Sequence, residues 1–563
     1  MKRAMMWIAG LAAALVAPPV AASTAPPVPK LIVAISVDQF SAGLFDQYRS
    51  HFTGGLRMMA DHGVAFPNGY QSHAATETCP GHSTILTGRH PAATGIVANG
   101  WIDRTLPVAG NGVYCMLDPA GPVPNRPDAP RGPANLKVPT LGEWLKAANP
   151  ASRTFAVSGK DRGAITMAGH GADGTFWWDD TLGGFTTYVP AGMSAEARLA
   201  PVKAFNAAVF AAWLKKAPVW TPLDPRCHFG EGRHRYAAMT VDHEMPPPGW
   251  IAPKAGEDFH LDPYFQSWLR ASPMYDKLAL DMASSLIDSQ KLGRGPAPDV
   301  LAISLSATDY VGHRYGSAGP EQCDNLAHLD AVLGVFFARL TALKVPVLVV
   351  LTADHGSVDA AERLAERGFP ANRVDGRALV RDVGDTVAKT LGLAASPLAG
   401  DPYEIYILPP PGGDATLVAR ISDATVAALR QRPEVYTVFT RAEALAAMPP
   451  KGKPVDELSL IERIAESTDA VRSGDVMAVL KPYTTVGVPL GLGDTIGGHG
   501  SVWNYDRRVP ILFWWPGAEG YEQPLPVETV DIAPTLAAVA GVATPVVDGR
   551  CLDLDRTAAT TCR

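Results

Sequence analysis

The chain of 563 residues is 47% hydrophobic and 19% charged, a balance that can bury a large core and excludes an intrinsically disordered polymer. Its formal net charge of −7 excludes the basic footprint that broad nucleic-acid binding needs, yet leaves room for a local positive site facing a small anion. Length alone allows roughly two to four domains, or one large α/β unit carrying insertions.

The first element stands outside the fold. Lys2 and Arg3 precede an apolar run over residues 4–17, followed by Pro18, Pro19 and the small residues Val20, Ala21 and Ala22. Residues 1–22 read as a secretory signal cut after Ala22, which sends the remainder, 23–563, to the periplasm or the exterior. The run is shorter than the ~20 residues of a membrane span, and no later segment resembles one, so no stable membrane insertion is expected. Loss of Lys2 and Arg3 takes the net charge from −7 to −9.

In chain order, residues 31–37 form a Val- and Ile-rich run leading straight into Asp38. Residues 78–87 read as a helix, with Pro80 in its first turn and Gly88 as its stop. A second buried-strand pattern at 300–305 is followed shortly by Asp309, and a third at 345–351 by Asp354 and His355. Residues 323–343 carry helical periodicity between them. A late strand is predicted at 511–515 and a capped helix at 531–541. Two stretches look inserted. Residues about 165–275 are rich in Trp, Pro and Gly; residues about 370–485 alternate short strands with helices such as 416–430 and read as an α+β cap. The fold class is α/β: a mostly parallel sheet between helices, with inserted α+β segments.

In such sheets ligands bind outside the carboxyl ends of the strands, so acids at three strand ends can converge across some 300 residues of sequence. Asp309 and His313 share one helical face. Asp354 and His355 sit together at a strand end, and Asp38 ends the first strand. His499 lies in GGHG (497–500), where small neighbours let a loop approach an ion closely. Singly, each is more simply a cap, a turn residue or a structural histidine. Four separate pieces in such places favour a metal centre. Mixed carboxylate and imidazole ligands suit zinc, or manganese or iron, and six suit two ions ~4 Å apart.

The pieces VDQ (37–39), TETCPGHST (76–84), GIVANGW (95–101), SGKDR (158–162), TDYVGH (308–313), TADHG (352–356), GGHG (497–500) and DIAPT (531–535) follow one another along nearly the whole chain. Together they resemble the alkaline phosphatase superfamily, in the branch of nucleotide pyrophosphatase/phosphodiesterases and PafA-type bacterial alkaline phosphatases. The resemblance implies an alkaline-phosphatase-like core and two zinc ions per chain, one held by Asp309, His313 and His499, the other by Asp38, Asp354, His355 and the Thr78 oxygen. It implies Thr78 as nucleophile, a phospho-threonine intermediate, and Asn99, Lys160 and Arg162 as holders of the phosphate oxygens. Phosphodiesterase relatives lack the Lys-x-Arg pair. Two extra cations reward the second negative charge of a monoester dianion.

The expected partners are therefore small phosphorylated substrates and not nucleic acid; the oligomeric state is left open. The alternatives are a nucleotide pyrophosphatase/phosphodiesterase and a non-catalytic phosphate-binding protein. A sulfatase would need a Cys/Ser-x-Pro-x-Arg pattern that TCPGH (78–82) does not supply. Six cysteines can form three disulfides, of which Cys551–Cys562 is the easiest local pair. His82 and His170 are expected to be structural, Cys79 to be disulfide-bonded or packed, and Trp177 and Trp178 to be core.

Overall fold

Leu31–Val37 is buried at every position, and its alternate side chains enter two different cores. Leu31, Val33, Ile35 and Val37 join one core, and Ile32 and Ala34 the other. A strand apolar on both faces is stable only when covered on both, which places it at the centre of a sheet. The computed structural model describes residues 25–107, 111–227, 232–247, 254, 256–489, 495–555 and 561–562; the expected signal segment lies outside them.

Leu31–Val37 pairs in parallel with Asp299–Leu305 on one side and Val347–Thr352 on the other. Thr154–Ser158 and then Gly174–Asp179 continue the parallel run. These five strands are the middle of a ten-stranded sheet. At one end Gly184–Thr186 turns back antiparallel. At the other, Arg508–Trp514 runs antiparallel between Val347–Thr352 and Val64–Tyr70. The mostly parallel sheet expected from the sequence is thus present. The stretch expected as inserted at about 165–275 is narrower than its composition suggested: Gly174–Asp179 and Gly184–Thr186 are sheet strands. The helix Ala195–Lys215 and the hairpin Gly232–Tyr236/Met239–His243 remain outside the sheet.

The registers level the strand ends. Val37 lies opposite Leu305, Ser36 opposite Thr352, and Ser304 opposite Ser158. The four segments that follow therefore leave the sheet along one edge. Thr78–Ile85, Asp161–Ala168 and Ile532–Val539 supply helical residues to one core, Met274–Ser289 and Pro320–Ala342 to the other. The segment expected as a cap holds a four-stranded antiparallel sheet in the order Leu398–Gly400, Ile405–Ile407, Val476–Leu480, Val435–Thr440. Gly376–Leu391 and Ala415–Arg430 pack on it around a core of their own that includes Leu379, Val383, Ile421 and Leu429.

Three disulfides form, Cys79–Cys115, Cys227–Cys323 and the local Cys551–Cys562. No helix among the described residues is long and apolar enough to cross a membrane.

His90 clamps three segments together. Its Nε2 lies 3.0 Å from Glu528, and its Nδ1 3.6 Å from Glu466 and 3.9 Å from Asp548. Burial opposes its charge, but Glu466, Glu528 and Asp548 push its pKa up to about 10. A folded-state pKa above the unfolded value adds stability that is complete below about pH 6.5 and fades as pH rises toward 10. His90→Asn should therefore lower the denaturation midpoint at pH 6 and do so much less at pH 10, as read from guanidinium titrations at both values. An equal loss at both would refute the linkage.

Candidate active site

The carboxyl edge of the sheet gathers every residue the sequence nominated. Asp38 directly follows Leu31–Val37, and Asp354 lies two residues beyond Val347–Thr352. Asp309 and His313 lie on Ala307–Tyr315, the helix that begins after Asp299–Leu305. Lys160 and Arg162 follow Thr154–Ser158, with Arg162 on the helix Asp161–Ala168.

The six predicted ligands form two groups with converging donor atoms: Asp309, His313 and His499, and Asp38, Asp354 and His355. In the first, Asp309 Oδ1 lies 3.1 Å from His313 Nε2 and 3.6 Å from His499 Nε2. In the second, His355 Nε2 lies 3.5 Å from Asp38 Oδ1 and 3.4 Å from Asp354 Oδ2. The groups adjoin, since the rings of His355 and His499 stack 3.7 Å apart. A third group of His51, Cys227 and Cys323 is spent, because its two thiols form a disulfide.

The donor chemistry fits a divalent cation. All three imidazoles bond a backbone carbonyl through Nδ1: His313 to Gly497, His355 to Gly356 and His499 to Thr76, at 3.0, 3.0 and 2.8 Å. A carbonyl only accepts, so each Nδ1 carries the proton and each Nε2 offers a lone pair toward the carboxylates. Asp38 Oδ1, Asp309 Oδ1, Asp354 Oδ2 and His355 Nε2 are buried without a hydrogen bond, a costly arrangement that a bound cation relieves. Burial, reinforced by Asp309 and Asp354, pushes the Asp38 carboxyl well above its usual range. Burial, with His355 and His313 nearby, holds His499 well below its own.

Lys160 is buried between the groups, its Nζ 2.6 Å from Asp38 and 2.5 Å from Asp309. Burial disfavours its charge, but the two carboxylates hold its pKa above the ordinary value. Arg162 reaches Thr78, with Nη2 3.5 Å from Thr78 Oγ1, and its Nε is buried with no hydrogen-bond partner. Its neighbour Asp161 is anchored by Tyr114 at 2.6 Å and Arg131 at 2.5 Å. A cavity of about 210 Å³ adjoins this pair, lined in part by Trp177, Trp178 and Tyr310. Trp177 and Trp178 are themselves buried core, as expected.

Thr78 opens the helix Thr78–Ile85 and is 1% exposed. Asn99 is locked beside it: Oδ1 accepts from the Cys79 amide at 2.9 Å, and its own N–H donates to Glu77 at 2.7 Å. The Cys79–Cys115 bridge ties the same two loops, and the Cys115 amide donates to the Asn99 carbonyl. Burial, with Asp401 adding to it, pushes Glu77 up to about 7. Sequence reasoning missed Glu77, which no spacing singled out. His82, expected to be structural, is buried four residues beyond Thr78 on the same helix. His82 Nδ1 lies 3.0 Å from Asp354 Oδ2. His170 is peripheral, as expected, bonding the Leu136 carbonyl.

The fold and this edge define a hydrolase of α/β type with two candidate metal groups flanking a helix-end threonine. The chain matches the family described as type I phosphodiesterase / nucleotide pyrophosphatase over residues 32–126 and 165–501. It is 42% identical over 532 residues to alkaline phosphatase PhoK of a Sphingomonas species, covering 93% of this chain and 91% of that protein. It is 41% identical over 557 residues to alkaline phosphatase PhoD of Zymomonas mobilis, covering 95% and 89%. The crystal structure of wild-type alkaline phosphatase PafA superposes with a TM-score of 0.78 at 26% identity, covering 94% of this chain and 99% of that one. The chain belongs to the type I phosphodiesterase / nucleotide pyrophosphatase family and is an enzyme of its PafA-like alkaline phosphatase branch.

Gly81 shows how closely the Thr78 helix sits on the candidate metal ligands. A Cβ at this position would lie 1.9 Å from the Asp354 carbonyl oxygen, a contact only glycine avoids. Gly81→Ala must shift the helix, and a displacement of about 1 Å costs on the order of a hundredfold in rate. The measurement is kcat on an aryl phosphate, with circular dichroism as the control for folding; an unchanged kcat would show that the fit is not required.

Proposed function

We propose that the protein is an exported two-zinc phosphomonoesterase that passes the phosphoryl group first to Thr78 and then to water. The observation that carries this reading is the cationic pair beside the nucleophile. Arg162 lies 3.5 Å from Thr78 Oγ1 with an unpartnered buried Nε, and Lys160 is buried between Asp38 and Asp309. A monoester dianion has one more charge than a diester, and these cations stabilise it. The three disulfides support an oxidising compartment, in keeping with export.

Zinc held by Asp309, His313 and His499, and by Asp38, Asp354, His355 and the Thr78 oxygen, would supply Lewis-acid charge to the attacking and leaving oxygens. The chain's own groups do the rest. Thr78 Oγ1 loses its proton to solvent and attacks phosphorus in line; the new P–O bond forms as the ester P–O bond breaks, and the departing oxygen takes up a proton from solvent and leaves as the alcohol. The Arg162 guanidinium and the start of the helix favour negative charge on and around that oxygen. Arg162, Lys160 and the Nδ2 donors of Asn99 hold the non-bridging oxygens. Water then attacks phosphorus, Thr78 regains its proton and inorganic phosphate leaves.

Thr78→Ala should reduce monoester turnover by at least about a thousandfold. Near-normal turnover by the purified, zinc-loaded variant would refute the nucleophile assignment. Replacing both Lys160 and Arg162 by alanine should cost about a hundredfold or more on an aryl phosphate and far less on its methyl diester. Equal losses would instead favour a phosphodiesterase, the reading that the family match alone also allows.

A further inference from the structure

His82 is fully buried four residues beyond Thr78 on the same helix. Its Nδ1 lies 2.9 Å from the Thr78 carbonyl oxygen and 3.0 Å from Asp354 Oδ2, and its Nε2 lies 2.9 Å from Ser304 Oγ. Neither the carbonyl nor the carboxylate offers a hydrogen. Nδ1 therefore carries the proton and donates it to the Thr78 carbonyl while facing the Asp354 carboxylate, and the Ser304 hydroxyl donates to Nε2. Ser304 belongs to the strand that precedes Asp309. It also braces the Arg162 helix, since a Cβ at Gly163 would lie 2.5 Å from Ser304 Oγ. One imidazole thus touches the nucleophile's own backbone, a predicted metal ligand and the strand leading to the other group.

From this geometry we propose that His82, oriented by Ser304, is a positioning residue that sets Asp354 and Thr78 in register for one metal ion. Asp354 Oδ1 is already taken by the amides of Gln39 and His355, at 3.1 and 3.0 Å. The His82 contact therefore fixes the rotation of the remaining carboxylate oxygen, which faces His355. Partners that orient ligands in this way are worth about 10- to 100-fold in metal affinity. The inference rests on the two-zinc reading above.

The test separates the two ring nitrogens. In His82→Asn the amide can sit where Nδ1 sits and keep the contacts to Asp354 and Thr78. In His82→Gln it reaches instead for the Nε2 position and Ser304. Apo proteins are titrated with zinc against a chromophoric chelator, and thermal midpoints confirm folding. His82→Gln should bind its second zinc about 10- to 100-fold more weakly than wild type, with kcat lowered and KM little changed. His82→Asn should recover most of both losses. Ser304→Ala, which frees the ring to rotate, should weaken the same zinc and leave the other unchanged. A role in packing alone predicts no difference between the amides. Equal affinity for the second zinc in His82→Gln and His82→Asn, or wild-type affinity in Ser304→Ala, would overturn the proposal. A wild-type protein that binds fewer than two zinc ions would overturn it together with the reading it rests on.

Discussion

The mutual repulsion of three buried carboxylates is the constraint around which the rest is built. Asp38, Asp309 and Asp354 are each at most 2% exposed, and water is too scarce there to screen them. Such a cluster persists only if the scaffold holding it is stiffer than the repulsion and opposite charge is supplied. The central sheet is that scaffold, each carboxylate being reached from a different fully buried strand in fixed register. Lys160 supplies one opposite charge. The Nε2 atoms of His313, His355 and His499 complete two donor sets of the kind that hold a divalent cation.

The Thr78 helix is fitted to this edge from several directions. Gly81 lets its backbone meet the Asp354 carbonyl, and Gln71 Nε2 bridges the Gly81 and Ala353 carbonyls. The Glu77–Asn99–Cys79 hydrogen bonds and the Cys79–Cys115 bridge close its N-terminal side. Thr78 Oγ1 thus has little freedom before any substrate arrives. This is the preorganisation that makes positioning and charge, more than new covalent chemistry, the source of rate in phosphoryl transfer.

Much of this was legible in the linear chain because buried parallel strands have a strong signature. The runs ending near Asp38, Asp309 and Asp354 admit few readings other than strands covered on both faces. Three of the four strands in the segment expected as a cap were legible as short apolar runs, whereas Leu398–Gly400 was not. Composition misled at residues 174–186, where Trp and Gly suggested an insertion and the chain instead forms the edge of the sheet. Hydrogen bonding there depends on the neighbouring strand Thr154–Ser158, which local composition does not reveal. Glu77 was missed, and the contacts of His82 could not be read, because their partners, Asn99 and Asp354, lie 22 and 272 residues away in sequence. The Cys227–Cys323 pairing, 96 residues apart, was beyond reach for the same reason.

The sequence by itself determined the chemical vocabulary: which strands are buried, which acids end them, and which threonine, asparagine, lysine and arginine accompany them. Periodicity and local spacing encode the strands and the acids at their ends, because a strand or a helical turn is decided by residues a few positions apart; the threonine, asparagine, lysine and arginine were marked only by the resemblance of their motifs to a known family. Only the tertiary structure decided that the acids share one edge, that each imidazole turns its Nε2 inward, and that His82 stands between Thr78 and Asp354. Those relations depend on strand register and side-chain rotation between segments hundreds of residues apart, and they come into being only when the sheet assembles.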